Sequence, residues 1–191
     1  MGGLFMIKDT KRLSFRHWRE DDAEEMFRWA QDPDVGPNAG WPPHTGPDVS
    51  LFVIRRFIEN DYLENALILK ETGKPIGCLG IKFGERCGSP AKDTTDEAEF
   101  GCWLAKPYWG QGIMPEAVGE VLRYCFEELN CKAVWWGYYD FNTKSKRVQE
   151  KCGFTHQYTQ EGRVIFDGRK VDEHYSRITK EEWLVNKGCV G

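Results

Sequence analysis

A strand, a glycine loop and the start of a helix follow one another within residues 103–117. Gly110 and Gly112 let the backbone approach a bulky ligand closely, because neither carries a side chain. The first N–H groups of the following helix have no partner inside the helix, and such groups favour an anion, most often a phosphate. Pro115 suits the first turn, where its missing N–H costs nothing. This stretch therefore predicts a helix with an anion site at its beginning.

The helix after this loop is predicted from apolar residues that recur three and four positions apart. This spacing places them on one face, which we expect to be buried. The residues are Val118, Val121, Leu122, Cys125, Phe126 and Leu129.

The two commonest phosphate loops do not match this stretch. The loop lacks the Gly-Lys-Ser/Thr ending of a nucleotide P-loop, and no Gly-x-Gly-x-x-Gly follows a strand near the N-terminus. A plain tight turn explains two glycines before a helix equally well. A binding role for the loop requires another phosphate-bearing ligand.

The composition is that of a globular protein. Of the 191 residues, 40% are hydrophobic and 14% are aromatic, and a chain of this length can bury a substantial core without metals or disulfides. We expect residues 1–191 to form a single domain. The net charge of -4 disfavours a nonspecific nucleic acid or an anionic membrane as a partner.

The cysteines show neither a metal-binding nor a redox spacing. They form no Cys-x-x-Cys pair and no metal-ligand pattern with the four histidines, so we expect no metal site and interpret them as small core residues. Their odd number, without a signal peptide or a long apolar span, predicts a protein of the reducing cytoplasm. The cysteines are Cys78, Cys87, Cys102, Cys125, Cys131, Cys152 and Cys189.

The N-terminal part predicts a strand over Leu13–Trp18 and helices that begin near Glu20 and Asp48. The segment between these helices is rich in proline and glycine and should be an irregular loop. Its Trp41 and His44 either line a ligand pocket or pack on the core.

Three strands are predicted next. The runs Asn65–Leu69 and Pro75–Phe83 form a hairpin, since a short loop with glycine joins them. The polar residues 84–95 predict a long, mobile connection to a strand over Glu97–Leu104.

The rest of the chain continues the alternation of strands and helices. Ala133–Tyr139 has strand composition, and Asn142 is the expected N-cap of a helix that Gly153 ends. Asp167-Gly168 predicts a hairpin between two further strands, and Thr179 caps a last short helix. The order β-α-α-β-β-β-α-β-α-β-β indicates a mixed sheet with helices on its faces.

Three stretches resemble the GNAT superfamily of N-acetyltransferases. Residues 99–117, with Gly110-Gln111-Gly112 at their centre, resemble its acetyl-CoA-binding motif. Residues 142–154 resemble the next helix and strand of the family, and residues 161–183 resemble its closing hairpin. Among its branches, the chain is most similar to the ribosomal-protein N-terminal (alanine/serine) acetyltransferases.

The resemblance implies an α+β fold, with a mixed, mostly antiparallel central sheet and helices on both faces. It implies an acetyl-CoA-dependent N-acetyltransferase whose acceptor is a primary amine, on a protein N-terminus or a small molecule, and which works by direct attack. We expect no nucleic-acid or membrane partner, and a monomer or a homodimer. The alternative is a noncatalytic acyl-CoA-binding sensor or interaction module on the same fold, since a fold does not determine a function.

The resemblance also implies which residues bind the cofactor. Loop N–H groups hold the pyrophosphate, and the strand before the loop pairs with the pantetheine. The next helix is locally basic, so either one of its cations meets the cofactor's 3'-phosphate or these residues form a solvated face. The family's loop usually has Gln or Arg where this chain has Pro107, so we expect weaker or differently oriented binding. The expected cofactor-binding residues are Trp103, Leu104, Trp109, Gly110, Gln111, Gly112, Ile113, Met114, Asn142 and Arg147.

Acetyl transfer to an amine requires a base, and an acid for the departing thiolate. Glu99 is the first candidate base, and Glu97 is a second candidate that points to the same side of the strand by alternation. The alternative interpretation is that both are solvated residues at the start of a strand. Ser145 and Tyr175 are the two candidate acids. Without a catalytic role, Ser145 would be an ordinary polar residue in the first turn of a helix, and Tyr175 would be a half-buried residue that packs on a strand. Alternative bases in the closing hairpin are Glu161, Asp172 and Glu173.

Overall fold

The computed structural model describes residues 7–188, which contain seven strands and five α-helices. The strands are β1 (Leu13–His17), β2 (Leu63–Leu69), β3 (Lys74–Lys82), β4 (Glu97–Leu104), β5 (Ala133–Tyr139), β6 (Thr155–Val164) and β7 (Lys170–Thr179). The helices are α1 (Ala23–Ala30), α2 (Pro47–Glu59), α3 (Ile113–Arg123), α4 (Thr143–Lys151) and α5 (Lys180–Gly188).

All seven strands belong to one sheet, in the order β1-β2-β3-β4-β5-β7-β6. Every neighbouring pair is antiparallel except β4 and β5, which run parallel. The connection from β4 to β5 is a crossover through α3, as parallel neighbours require. The predicted mixed, mostly antiparallel sheet is confirmed.

Helices cover both faces of this sheet. Leu67 and Leu69 of β2 belong to the core formed with α3. Ala66 and Ile68, which alternate with them, belong to a second core formed with α1 and α2. Because neighbouring residues on a strand point to opposite faces, α1 and α2 lie on one side of the sheet and α3 on the other.

The predicted helix caps are present. The Asn142 Oδ1 atom accepts a hydrogen bond from the Ser145 N–H at 3.1 Å. Before α5, the Thr179 Oγ1 atom accepts one from the Glu182 N–H at 3.1 Å, and the Glu182 carboxylate accepts one from the Thr179 N–H at 2.7 Å. This reciprocal capping box supports a helix that continues to Gly188, beyond the short helix expected.

The connection over residues 84–95 packs more closely than its polar composition predicts. The segment forms two short 3-10 helices and packs against the sheet, with Cys87, Ser89 and Ala91 buried. The Ser89 N–H donates a hydrogen bond to the Glu99 Oε2 atom at 2.7 Å. A buried carboxylate that needs a donor thus fixes a segment whose polar composition alone indicates a loop.

The helix after the glycine loop changes character near its end. α3 stops at Arg123, and Tyr124–Glu128 forms a π-helical turn. In that turn Tyr124, Cys125 and Phe126 are all buried. Three consecutive buried residues span too wide an arc for one α-helical face, and the wider turn accommodates them.

The aromatic residues between α1 and α2 pack on the core. The Trp41 ring lies 6.2 Å from the Trp103 ring and 5.1 Å from the His44 ring, measured between centroids. Burial lowers the pKa of His44, and its Nδ1 atom is 2.8 Å from the Ser50 Oγ atom. Of the two interpretations of this loop, a ligand pocket or packing on the core, the structure supports packing on the core for Trp41.

All six cysteines among the described residues are free thiols. Four of them are buried and two are half-buried, in agreement with their interpretation as core residues. Cys189 lies outside the described residues. The buried thiols are those of Cys78, Cys87, Cys125 and Cys131.

Candidate active site

The strands β4 and β5 part halfway along their length. Their pairing runs from Glu97 opposite Ala133 to Phe100 opposite Trp136 and stops there. The remaining residues, 101–104 of β4 and 137–139 of β5, do not pair with each other. A cavity of about 400 Å³ opens between them.

An aromatic cluster marks the last paired position. The centroids of the Phe100 and Trp136 rings lie 6.2 Å apart, and the Phe154 ring is 6.2 Å from the first and 5.6 Å from the second. All three side chains are buried. Tilted and edge-to-face aromatic contacts of this kind hold the two strands together immediately before they part.

The cavity reaches both faces of the sheet. Glu99 and Phe100 are neighbours on β4 and therefore point to opposite faces, yet both line the cavity. Ser145 of α4 lines it from the side of α3, while Trp103, which packs with the core of α1 and α2, lines it from the other side. A ligand can thus enter from one face and meet a second ligand from the other.

The glycine loop forms one end of the cavity. Gly110 and Gly112 both have left-handed backbones, with φ of 74° and 72°, which explains why glycine stands at each position. Among the described residues, none accepts a hydrogen bond from the N–H groups of residues 110–112. Arg12 holds the loop from behind by donating to the Gln111 carbonyl at 2.8 Å. The loop offers several free donors at the N-terminus of α3.

Helix α4 brings two polar side chains to the opposite wall. The Ser145 Oγ atom accepts a hydrogen bond from the Gln149 Nε2 atom at 3.2 Å, so its own hydroxyl proton is free to be donated elsewhere. The Asn142 Nδ2 atom donates to the Asn38 carbonyl at 2.9 Å. Besides capping α4, Asn142 therefore ties this helix to the loop that holds Asn38, which also lines the cavity.

Cations of α4 surround the same end of the cavity. The Lys144 Nζ atom lies 4.2 Å from the centre of the Trp109 ring, a cation–π contact that bridges the two walls. Arg147 and Lys151 line the cavity as well. This end therefore combines backbone N–H donors with positive charge.

Glu99 is buried on the other side of the cavity. Its exposed fraction is 6%, and its Oε2 atom accepts the Ser89 N–H. Its Oε1 atom lies 3.8 Å from the Lys82 Nζ atom, beyond hydrogen-bond distance. One carboxylate oxygen of Glu99 is thus left without a hydrogen bond from the described residues.

Glu97 does not reach the cavity. Its carboxylate accepts hydrogen bonds from the Trp135 indole at 2.5 Å and from the Arg177 guanidinium at 2.6 Å. Burial acts to raise the pKa of Glu97, but these two hydrogen bonds outweigh it and hold the pKa below its ordinary value. A carboxylate so engaged is a poor base.

The closing hairpin brings Glu173 to the cavity but not Tyr175. Glu173 forms an ion pair with Arg163 and accepts a hydrogen bond from the Tyr175 hydroxyl at 2.8 Å. Tyr175 is 1% exposed, and burial together with the Glu173 carboxylate raises its pKa. Glu161 is exposed, and the Asp172 carboxylate accepts the N–H at the hairpin bulge.

Most of the sequence-predicted residues come together around this one cavity, while Gln111 and Tyr175 do not line it. Sequence reasoning missed Lys82 and Val35 among the lining residues. No motif marks them, because each reaches the cavity through strand register or loop packing. The predicted residues that do line it are Glu99, Trp103, Leu104, Trp109, Gly110, Gly112, Ile113, Met114, Asn142, Ser145, Arg147 and the alternative base Glu173.

Residues 12–155 match the family model described as Acetyltransferase (GNAT) domain. The chain belongs to the GNAT acetyltransferase family. Enzymes of this family are acetyl-CoA-dependent N-acetyltransferases, which confirms the resemblance in the sequence and the enzyme class.

Similar proteins agree with this assignment. FsC-acetyl coenzyme A-N(2)-transacetylase of Aspergillus fumigatus is 35% identical over 98 residues, which are 50% of this chain and 42% of that protein. A GNAT acetyltransferase structure from Bacillus anthracis superimposes with a TM-score of 0.78 at 21% identity, over 91% of this chain and 98% of that one. The ribosomal-protein-S5-alanine acetyltransferase of Vibrio fischeri gives a TM-score of 0.69 at 19% identity, over 92% and 97%. At these identities the two structures show the shared fold.

Two further observations concern residues 7–188. No helix in this range is long and apolar enough to cross a membrane. Within the same residues, no three His, Cys, Asp or Glu side chains lie together in a way that could hold a metal ion.

Proposed function

We propose that this GNAT domain transfers the acetyl group of acetyl-CoA to a primary amine by direct attack in the cavity between β4 and β5. The parting of the two strands after Phe100 and Trp136 carries the proposal. It opens a passage from the free N–H groups of the glycine loop to the Glu99 carboxylate and the Ser145 hydroxyl.

The end of the cavity near the glycine loop suits the phosphates of acetyl-CoA. The N–H groups of residues 110–112 donate to no described residue, and the start of α3 adds further free donors. Lys144, which contacts Trp109 of the loop, adds positive charge there, and Arg147 adds positive charge to the cavity lining. When bound, acetyl-CoA supplies the activated acyl group; the protein binds its phosphates and directs the thioester toward the gap.

Pro107 stands where the family's loop usually has Gln or Arg. In this chain it lies in a short 3-10 helix, and the Pro107 carbonyl accepts a hydrogen bond from the Gln111 side chain at 2.7 Å. Trp109 further fixes the loop by donating its indole N–H to the Leu104 carbonyl at 2.7 Å. These contacts shape the loop from within, so the backbone donors remain available to the pyrophosphate.

Glu99 is the proposed base. Its Oε1 atom has no hydrogen-bond donor among the described residues, and its Oε2 atom is fixed by Ser89. A positioned carboxylate of this kind can take a proton from the amine as the amine attacks. Glu97 is unsuited to the role, because Arg177 and Trp135 already occupy its oxygens.

Ser145 is the proposed acid for the departing thiolate. The Gln149 amide occupies one lone pair of its oxygen and leaves its proton to be donated into the cavity. Tyr175 is buried beside Glu173 and has no access to the gap. We therefore assign Tyr175 no catalytic role.

Direct attack is favoured over an acyl-enzyme because the one cysteine among the described lining residues is unreactive. Burial raises the pKa of the Cys102 thiol to about 12. The thiolate is the nucleophilic form of cysteine, so a thiol with this pKa stays protonated and inert near neutral pH.

Release of free thiol from acetyl-CoA, measured with DTNB across a panel of amines and N-terminal peptides, tests the proposal. We expect turnover with at least one amine, and loss of most of it in Ser145→Ala. Saturable acetyl-CoA binding without turnover of any amine would instead support the noncatalytic sensor.

A further inference from the structure

Lys82 enters the cavity from the strand next to Glu99. It stands directly opposite Glu99 in the register of β3 and β4, and it lines the cavity. Its side chain leans over Gly101: a Cβ atom at that position would lie 3.1 Å from both the Cε and Nζ atoms of Lys82. Gly101 therefore provides the space that lets the Lys82 ammonium cross to the point where β4 leaves β5.

The Lys82 ammonium makes no hydrogen bond with the described residues. Its side chain is 29% exposed. The Glu99 Oε1 atom lies 3.8 Å from the Lys82 Nζ atom, and it too receives no hydrogen bond from the described residues. An ammonium carries three N–H donors. A free donor and a free carboxylate oxygen thus stand side by side at the gap.

The two carboxylates of the cavity are both balanced by cations. Among the described lining residues the carboxylates are Glu99 and Glu173. Lys82 faces the first, and Arg163 forms an ion pair with the second. The acceptor side of the cavity therefore has no excess of negative charge that would attract a polyamine.

We propose that Lys82 binds the oxygen of a carbonyl group attached to the carbon that bears the acceptor's amine, so that the acceptors are α-amino carbonyl compounds. The inference rests on the proposed acetyl transfer. The ammonium donates to the carbonyl or carboxylate oxygen, and the Glu99 Oε1 atom accepts from the adjacent amine. The positive charge of Lys82 also disfavours the protonated form of that amine, which keeps it nucleophilic. Peptide N-termini and free amino-acid derivatives share this chemistry.

Matched acceptors in the thiol-release assay test the role of Lys82. Alaninamide carries the carbonyl one carbon from the amine, and β-alaninamide carries it one carbon further away. We expect the wild type to prefer alaninamide by about tenfold or more in kcat/KM, corrected for the fraction of free amine, since the hydrogen bond involves a charged donor. In Lys82→Met we expect that preference to fall to about twofold or less. Alanyl-alanine and free alanine distinguish peptide from amino-acid acceptors, and spermidine represents polyamines.

Two controls separate recognition from general damage. Lys92→Met removes an exposed lysine outside the cavity and should keep the wild-type preference. Gly101→Ala should lower the preference by less than Lys82→Met does, because its Cβ atom would crowd the ammonium without removing it, whereas Gly119→Ala, with open space around its Cβ position, should leave the preference unchanged.

Several results would overturn the inference while leaving acetyl transfer intact. One such result is that the wild type acetylates β-alaninamide or spermidine with the same kcat/KM as alaninamide. Another is that Lys82→Met lowers kcat/KM for all acceptors by one common factor. Absence of both acetyl-CoA binding and turnover would overturn the proposed function itself, and the inference with it.

Discussion

The two halves of β4 differ in the strands that pair with them. Residues 97–100 pair with β5, and Glu99 and Phe100 pair with β3 as well, whereas residues 101–104 pair with β3 alone. In the first half, Glu97 is bound by Arg177 and Phe100 joins a buried aromatic cluster. In the second half, all four residues line the cavity. The candidate active site thus arises where one strand pairing is omitted, on a sheet that is otherwise continuous.

Glu99 lies next to the boundary between the two halves and combines properties of both. Its backbone is in the paired half, opposite Trp135, while its carboxylate faces the gap. The paired half therefore fixes the position of a group that acts in the unpaired half. Substitutions on either side of this boundary should separate effects on chemistry from effects on stability.

The largest effect is expected from Glu99→Gln. The variant keeps the shape of the side chain and an acceptor for the Ser89 N–H, but it loses the base. We expect kcat/KM for the amine to fall by about 100-fold to 10,000-fold, the usual contribution of a positioned general base. Steady-state kinetics would show this, with Glu97→Gln retaining most activity as the control. Equal activity in the two variants would remove Glu99 from the mechanism.

Phe100→Ala should weaken the junction itself. Phe100 is 2% exposed and contacts Trp136 and Phe154 in the aromatic cluster. Its truncation should cost about 3–5 kcal/mol in the free energy of unfolding, through lost burial and a cavity. Urea denaturation measures this, and Phe52→Ala, at a position that is 60% exposed, should change stability by less than about 0.5 kcal/mol. Similar costs in both variants would contradict the role of the cluster.

Glu97→Gln should alter the pH dependence of stability in the paired half. Because the native pKa of Glu97 is lowered, its contribution is present above its ordinary pKa of 4.5 and is lost as pH falls through the native value. We expect the variant to be about 1–3 kcal/mol less stable than the wild type at neutral pH. Unfolding series from pH 7 downward should show this gap closing below pH 4.5. A gap that stays constant with pH would contradict the ionic role of Glu97.

The smallest effect is expected from Gln149→Leu. Gln149 is 1% exposed, its amide donates to Ser145, and its own Oε1 atom has no hydrogen-bond partner among the described residues. Leucine removes this buried unsatisfied oxygen, so stability should not fall. The hydrogen bond to Ser145 is also lost, so kcat should decrease by a few-fold, about 1 kcal/mol. An unchanged kcat would mean that Gln149 does not orient the hydroxyl.

The sequence predicts local features of this site well. The bounds of β4 and β5 agree with the strand patterns, because composition and the flanking polar residues mark both ends. The left-handed Gly110 and Gly112 and the N-cap Asn142 are likewise local, since each depends on its own backbone or on a neighbour within three residues.

The features that sequence reasoning missed depend on distant parts of the chain. The last pair of β4 and β5, Phe100 and Trp136, is set by how two strands separated by a helix align. Lys82 reaches Glu99 through cross-strand register, and its position depends on a glycine in the neighbouring strand. The sequence places Tyr175 on a strand of the closing hairpin, but it does not show that this side chain lies away from the gap.

The central claim is that the glycine loop binds the diphosphate of acetyl-CoA and so directs the acyl group into the gap. Isothermal titration of acetyl-CoA into the wild type, Gly112→Asp and Gly73→Asp tests it most directly. Both glycines have a left-handed backbone, with φ of 72° and 68°, but Gly73 lies in the turn between β2 and β3, away from the cavity. We expect saturable binding that Gly112→Asp weakens by about tenfold or more, because its carboxylate repels the diphosphate, and that Gly73→Asp leaves unchanged. Absence of wild-type binding, or equal affinities in all three proteins, would contradict it.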